Sequence, residues 1–577
     1  MREKRKQKGI TLVALVITII VLLILAGITI TLLIGENGII TQAQRAKNET
    51  AQGQKEELRG LASLEQEIDE ATGKTYSIDK GVNKPRLAEG MKAIKFTEPS
   101  ESAKGEVQAS NENDTQWYDY NSKKWANSQT EDGSMWVWIP RYAYRVDKTN
   151  QKFDVVFLIG TTDTYYDENG NIQTAKRCNS VDEEVDTTTG YTVHPAFTDE
   201  TAISYRNGGW DRELTGIWVA KFEAGYASGN NNATVKASSV SYSQNTSNVR
   251  AVERGQSTDG DETARNWLDG IYGSTKTAIK YPTFQGTTYS MNYINHNDAY
   301  NIAKVMTESG NIYGLSESTD SHLMKNSEWG AVAYLSQSKY GLETTEVTVN
   351  NINLNSGGAT RTATAGKSGI DSVYAVTGCT TASTNTGEKV TTIVDINKTT
   401  ANAAVDGVYT WDQLNGTKAS SSGTIYGIYD LSGGTYERTT AYVANGHEEL
   451  KTYGSSIAYD GSTLKTVSTK YTTTYPFDST TDNTSIANND TNLNTASTNN
   501  YKKNTLIYGD GIREISTAGT GSTSWYKDYS YYSGLQSPFS LRGGNFWSSS
   551  GAGLFSFNRP SGKSTYNNGF RTVLTVS

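Results

Sequence analysis

Side chains that signal catalysis or metal binding are few in this chain and far apart. Its two cysteines, Cys178 and Cys379, lie in no CxxC pair and have no histidine close in sequence, so the pattern predicts no metal site. Outside a cell they could form one disulfide, but spacing alone does not bring them together. The four histidines, His194, His296, His322 and His447, show no ligand spacing and read as ordinary core or surface residues. No Ser/His/Asp or paired-carboxylate spacing stands out, so the expectation is no enzymatic activity and no cofactor.

The last stretch, "LRGGNFWSSSGAGLFSFNRPSGKSTYNNGFRTVL" (541–574), has a different chemistry. Asn545, Phe546, Trp547, Ser548, Asn558, Arg559, Lys563, Tyr566 and Asn567 form the predicted ligand-binding set. Tyr and Trp supply rigid contact area at low entropic cost, while Ser, Gly and Asn adapt their hydrogen bonds. About half of the aromatic residues here are expected in the core, with Leu554 and Phe570 the most buried and the Asn, Arg, Tyr and Ser positions outside. The flanking residues Arg542, Gly543, Gly544, Gly569, Phe570 and Arg571 read as scaffold. Glycine permits close backbone approach, and a guanidinium can hold loops by forked hydrogen bonds.

Elements that could position such a segment begin near residue 75. Tyr, Trp, Thr, Ser, Asn and Gly dominate, with 36 Tyr and 54 Gly in 577 residues. "MWVWIPRYAYRV" (135–146) and "GIWVAKFEAGY" (216–226) read as strands. "NHNDAYNIAKVM" (295–306) predicts a helix with Ala299, Ile302, Ala303 and Met306 on one face. "KNSEWGAVAYLSQSKY" (325–340) predicts a second, with Trp329, Val332, Ala333 and Leu335 apolar and Asn326 or Ser327 as cap before Glu328. The tract 467–500 is so rich in Thr, Asn and Ser that it reads as a surface insertion. Polar insertions are expected near 160–210, 343–420 and 444–505. The net charge of −8, without Lys/Arg clusters beyond the first residues, argues against nucleic acid as a partner.

The other end of the chain is apolar. Ile10 to Ile34 carries no charge and spans roughly 37 Å as a helix, enough to cross a bilayer. "MREKRKQK" before it is basic, which keeps the N-terminus inside and places everything after Ile34 outside the cell. Beyond "GENG" (35–38), Leu58, Leu61, Ala62, Leu64 and Ile68 continue an apolar stripe at helical spacing.

The junction "KGITLVALV" resembles the type IV prepilin signature, a short basic leader ending in Gly before an apolar helix. The resemblance covers residues 1–45. It implies cleavage between Gly9 and Ile10 by a prepilin peptidase, methylation of Ile10, and assembly with other pilin subunits. The fifth mature residue is Ala14, where that family has Glu. Without that carboxylate a minor or tip position fits better than an ordinary repeating subunit, because the pairing it makes with a neighbour's amino terminus is missing. A simple membrane anchor uses the same residues.

Five blocks further on resemble the formylglycine-generating-enzyme (sulfatase-modifying factor) family, a variant of the C-type lectin fold. They are Lys221 to Glu223, Leu323 to Ala333, Gly427 to Thr439, Arg542 to Trp547 and Gly569 to Arg571. In that family a cysteine pair follows the RGGSW-like motif; here "SSSGAGLFSFNRPSGKS" contains none, which contradicts thiol-based oxidase activity. The family's calcium-binding Asn is Gly434 here although Glu437 is kept, so calcium is left without support. Receptor-like proteins diversified by retroelements use the same C-terminal part of this fold, and its Asn/Tyr/Ser content is of that kind.

The resulting expectation is an α+β protein. It has a leader at 1–9, a transmembrane, pilin-like helix at 10–71, a connector at 72–133 and a lectin-like head at 134–577. Its function would be non-enzymatic adhesion from the cell membrane, with an extracellular protein or glycan as ligand. The alternatives are a membrane-anchored head with unknown catalytic activity and a structural pseudopilin of a secretion or DNA-uptake system.

Overall fold

A computed structural model describes residues 82–177, 187–199, 209–226, 281–292, 294–355, 373–381, 408–478, 490–563, 565 and 567–576. The expected leader and pilin-like helix lie outside the described residues. Among the described residues no helix is long and apolar enough to cross a membrane.

The elements that matter run in chain order as follows. Strands β1 (Lys92–Phe96), β2 (Val107–Ala109), β3 (Asn127–Gln129), β4 (Met135–Pro140) and β5 (Gly216–Ala220) come first. Helix α1 (His296–Lys304), strand β6 (Thr319–Leu323) and helix α2 (Asn326–Ser336) follow. Then come β7 (Tyr436–Val443), β8 (Thr473–Tyr475), helix α3 (Asp490–Lys503), β9 (Phe539–Arg542), β10 (Phe557–Asn558), β11 (Asn568–Phe570) and β12 (Thr572–Val576). The mixture of helices with mainly antiparallel sheet is α+β.

A seven-stranded antiparallel sheet has the order β6-β12-β5-β4-β3-β1-β2. Trp218 of β5 faces Trp138 of β4 and Leu574 of β12 in register. β4 and β5 are buried on every residue, so core covers both faces of each strand and neither shows a one-sided, alternating burial. The second sheet has the order β8-β7-β9-β10, with β11 parallel to β7. α2 is buried along its whole length.

Three expectations change. Residues 92–129, read as a connector, supply three strands of the main sheet. Their strands are short, and the aromatic residues that lock them down, Trp117, Tyr118, Tyr120 and Trp125, are buried from within a stretch that is otherwise mostly polar. The polar tract 467–500 is no mere surface insertion. β8 pairs parallel to β7, and Ala496, Ser497 and Asn500 of α3 are buried. Hydrogen bonding allows this: the Asn500 amide donates to Ser533 O at 3.1 Å and accepts from Asp478 N at 2.8 Å. Last, 135–146 is two strands and not one. Arg141 breaks it, its buried guanidinium donating to Thr162 O and Phe197 O and pairing with Asp163 and Glu213.

Candidate binding face and the buried frame beneath it

The five sequence blocks meet in a buried polar frame. Lys221 Nζ, fully enclosed, donates to Asn127 Oδ1 at 3.0 Å, Ile425 O at 2.6 Å and Gly427 O at 2.9 Å, and burial pushes its ammonium down. Glu223 accepts from Thr435 N at 3.0 Å and from the hydroxyls of Ser290 and Thr435. Its carboxyl is pushed up by burial, then by Asp430 and Glu437. Asp430 accepts from Asn350 Nδ2 and Gly378 N, both at 2.8 Å. The buried polar groups of Lys221, Glu223 and Asp430 each meet a partner, which is the condition for burying them.

Two arginines close the frame. Arg571 Nε donates to Glu437 Oε2 at 2.9 Å, while its other nitrogens reach Ala220 O at 2.6 Å and Tyr429 O at 2.7 Å. Burial raises Glu437 and the guanidinium opposes that, leaving its carboxyl at about 6. Arg542 donates to Asp510 O at 2.7 Å and Gly511 O at 2.9 Å and lies over the Trp329 ring. Trp329 Nε1 in turn donates to Leu554 O at 2.7 Å, tying α2 to the C-terminal segment. Gly543 and Gly544 have φ of +82° and +72°. A Cβ on Gly544 would lie 2.5 Å from Ala552 Cα, so a side chain is excluded both by space and by conformation. Gly569 packs against Thr435, and Phe570 is fully buried, as is Leu554 nearly so.

The predicted contact residues divide over this frame. Asn545, Phe546 and Ser548 are buried, not outside. Asn545 Oδ1 accepts from Trp547 N at 2.9 Å, and the Ser548 hydroxyl lies 3.0 Å from Asn545 Oδ1 and 3.1 Å from the Tyr436 hydroxyl. These short polar residues shape the turn after "RGG"; they are its internal bonds. Phe546 packs with Ala375, and Trp547, half-buried, meets it edge-on.

Asn558, Arg559, Lys563 and Asn567 are partly exposed. Asn558 Nδ2 donates to the Tyr436 hydroxyl at 3.2 Å, so Ser548 and Asn558 converge on one phenol. Arg559 turns to α3, donating to Asn494 Oδ1 at 2.7 Å and to Ser497, and covers the Tyr531 ring. Lys563 points elsewhere and pairs with Glu449 at 3.1 Å. Asn567 accepts from Thr565 at 2.9 Å. Tyr566, Gly9 and Ile10 lie outside the described residues.

Sequence reading missed Tyr436, Tyr529 and Tyr531. Tyr529 and Tyr531 are half-exposed and stand edge to face, 6.0 Å apart. Backbone bonds from Phe557 N to Tyr529 O and from Tyr531 N to Phe557 O fix them beside β10. The signal was present in "YKDYSYYSG" (526–534), which has the Tyr/Ser/Gly texture already noted in 541–574. Trp547, Asn558, Arg559, Tyr529 and Tyr531 therefore make an amphipathic face whose rings are held from below.

Thiol and calcium chemistry find little here. Cys379 is a buried free thiol whose Sγ lies against Thr377 O, and burial pushes its pKa up, away from the reactive thiolate. Cys178 lies outside the described residues. At the family's calcium position the residues do not fit the ion. Gly434 offers no side-chain oxygen, Glu437 is spent on Arg571, and Glu223 accepts from two hydroxyls and an amide. No family model matches this sequence, and no curated protein matches it.

Proposed function

We propose that this chain is a non-enzymatic binding protein that displays an adhesive head at the cell surface. The observation that carries the reading is the face formed by Trp547, Asn558, Arg559, Tyr529 and Tyr531. Its rings and amides are partly exposed, and they are preorganised by Tyr436, α3 and the buried Arg542 and Arg571 frame. Rigid aromatic anchors beside adaptable amides are what recognition surfaces use, because little entropy is lost when a ligand arrives.

The lectin-like, formylglycine-generating-enzyme-like character of the head belongs to the same proposal. It is supported by the convergence of all five blocks in one frame. So does the pilin-like start: the apolar run after Gly9 would hold the chain in the membrane, then in a filament as a minor or tip subunit, with the head outside. Its partners would be prepilin peptidase, neighbouring pilin subunits and an extracellular protein or glycan.

The test is a glycan and protein array probed with the full-length chain and with Tyr529→Ala, Tyr531→Ala and Trp547→Ala. The expected result is a captured ligand whose signal falls at least about fivefold in one or more variants, equivalent to about 1 kcal/mol, with melting temperature kept. Ligand capture unchanged in all three folded variants would place binding elsewhere.

A further inference from the structure

A cavity of 230 Å³ opens beside the C-terminal end of α3, away from the residues of the proposed face. Its floor is buried and polar: Asn504, Asp510 and Tyr532 lie there with Ile507 and Ile512. Lys148 and Thr505 are exposed at its rim, and Tyr501, Arg513 and Ser516 are half-buried between.

Two floor atoms are buried without a protein partner, the Tyr532 hydroxyl and Asn504 Oδ1. Asn504 is not free to turn, since its Nδ2 already donates to Pro476 O at 2.9 Å and Asn500 O at 2.8 Å. Its acceptor oxygen is thereby fixed. An unsatisfied buried hydroxyl or amide oxygen costs about 1–3 kcal/mol unless a ligand or water supplies the bond. Asp510 accepts from the Tyr475 hydroxyl at 2.8 Å and from Ile512 N at 3.1 Å, which leaves a carboxyl group with lone pairs to spare. Burial and then Glu514 push that carboxyl up to about 7, so near neutral pH it both donates and accepts.

We propose that this cavity is a separate binding site for a single neutral sugar ring. Sugar hydroxyls each donate and accept, and the floor offers both: an acceptor in Asn504, a donor–acceptor in Tyr532, and a carboxyl in Asp510. The sugar's apolar face needs a flat partner, and Tyr501, meeting Tyr532 edge-on at 5.9 Å, supplies one on the wall. The volume is below the roughly 300 Å³ at which drug-sized pockets begin, which suits one ring and not a larger ligand. Among the described residues no cluster of three metal-ligating side chains exists here or elsewhere. The site stands on its own and does not require the C-terminal face to bind anything.

The test is saturation-transfer NMR on the full-length chain in a sugar-free detergent. The probes are glucose, galactose, mannose, fucose and N-acetylglucosamine, with glucuronate as the acidic arm. At least one neutral sugar should bind saturably. Tyr532→Phe removes only the unpartnered hydroxyl and should weaken that sugar about fivefold. Thr505→Trp at the exposed rim should abolish the signal, and Trp547→Ala on the other face should leave it intact. Matching thermal melts show that each variant is folded. No saturable signal from any neutral sugar, binding of glucuronate alone, or a signal that survives Thr505→Trp would overturn the proposal.

Discussion

The guanidinium of Arg571 and the carboxylate of Glu437 pair, both fully enclosed, just beyond the point where Glu437 lies in parallel register with Gly569. Arg571 joins β11 to β12, and Glu437 sits on β7, so one ion pair ties the main sheet to the second. Removing one partner strands a buried charge, which typically costs 3–5 kcal/mol. Arg571→Ala is therefore expected to lower stability by about that much in chemical denaturation. Glu437→Gln keeps shape and can still accept from the guanidinium, but it leaves the buried Arg571 charge without its carboxylate, so it should destabilise as well. If both variants melt like the wild type, the pair does not hold the sheets.

A second buried cluster sets a pH window. His322 Nδ1 lies 2.9 Å from Asp320 Oδ1 and its Nε2 2.9 Å from Glu328 Oε1. Tyr471 donates to the other oxygen of Asp320, Lys325 lies 3.8 Å from Glu328, Lys470 lies 3.6 Å from Asp320, and Trp210 packs on the imidazole. Burial alone would lower His322, but the two carboxylates outweigh it and hold it up to about 9. Burial would raise Asp320, but His322, Tyr471 and Lys470 hold it down to about 2. The raised histidine contributes stability that is complete below its ordinary 6.5 and is lost as pH climbs from there through about 9. The lowered aspartate contributes above its ordinary 3.8 and loses that as pH falls through about 2. His322→Gln should therefore destabilise at pH 6 and much less at pH 10, by a difference on the order of 3 kcal/mol. A wild-type-minus-variant difference that is flat with pH would refute this.

How much of this was legible beforehand depends on whether burial was signalled by apolar runs. β4, β5, α1 and α2 were readable because their buried faces are Val, Ile, Trp, Ala and Leu at regular spacing. α2 begins one residue earlier than its expected caps, because Glu328 accepts from Lys325 N at 2.8 Å, while the Asn326 side chain bonds Tyr475 and Thr439. β1 to β3, β8 and α3 were not readable. β1 is short and buries Ala93, Ile94 and Phe96 within a polar stretch, β2 buries nothing, and the buried positions of β3, β8 and α3 are mostly Ser, Thr and Asn, whose burial no local apolar period records. Asn545 and Ser548 misled for the same reason: composition cannot tell an amide that greets a ligand from one that closes a turn.

Gly434 offers a test of the calcium reading. Its φ is +67°, and a Cβ there would lie 2.9 Å from Glu223 Oε1. Placing an Asn here, as in the family the sequence resembles, therefore adds a group where a carboxyl already sits. Asn tolerates the left-handed conformation better than most residues, so the cost is mainly the close contact, about 1–2 kcal/mol. Gly434→Asn is expected to melt earlier and by the same amount in calcium and in chelator. A calcium-dependent gain in melting temperature would show that the site is intact.

Processing is tested by intact mass. "KGITLVALV" leads to the expectation that membrane-extracted chain begins at methylated Ile10, without "MREKRKQKG". A mass that retains those residues would leave only the plain anchor.

Arg559 joins the proposed face to α3, and its two roles separate by substitution. Its guanidinium donates to Asn494 and Ser497 while stacking on Tyr531. α3 is rich in Asn and Thr, weak helix formers, so its place depends on such tertiary bonds more than on propensity. Arg559→Ala should loosen α3 and free the Tyr531 ring together. Arg559→Lys keeps the charge and loses the fork, so it should reproduce most of the loss. Amide exchange provides the readout: α3 should exchange faster in both variants, while β4 and β5 stay protected. If α3 exchange is unchanged in both, Arg559 is free of any anchoring duty, and any fall in ligand capture by these variants would be a direct contact effect.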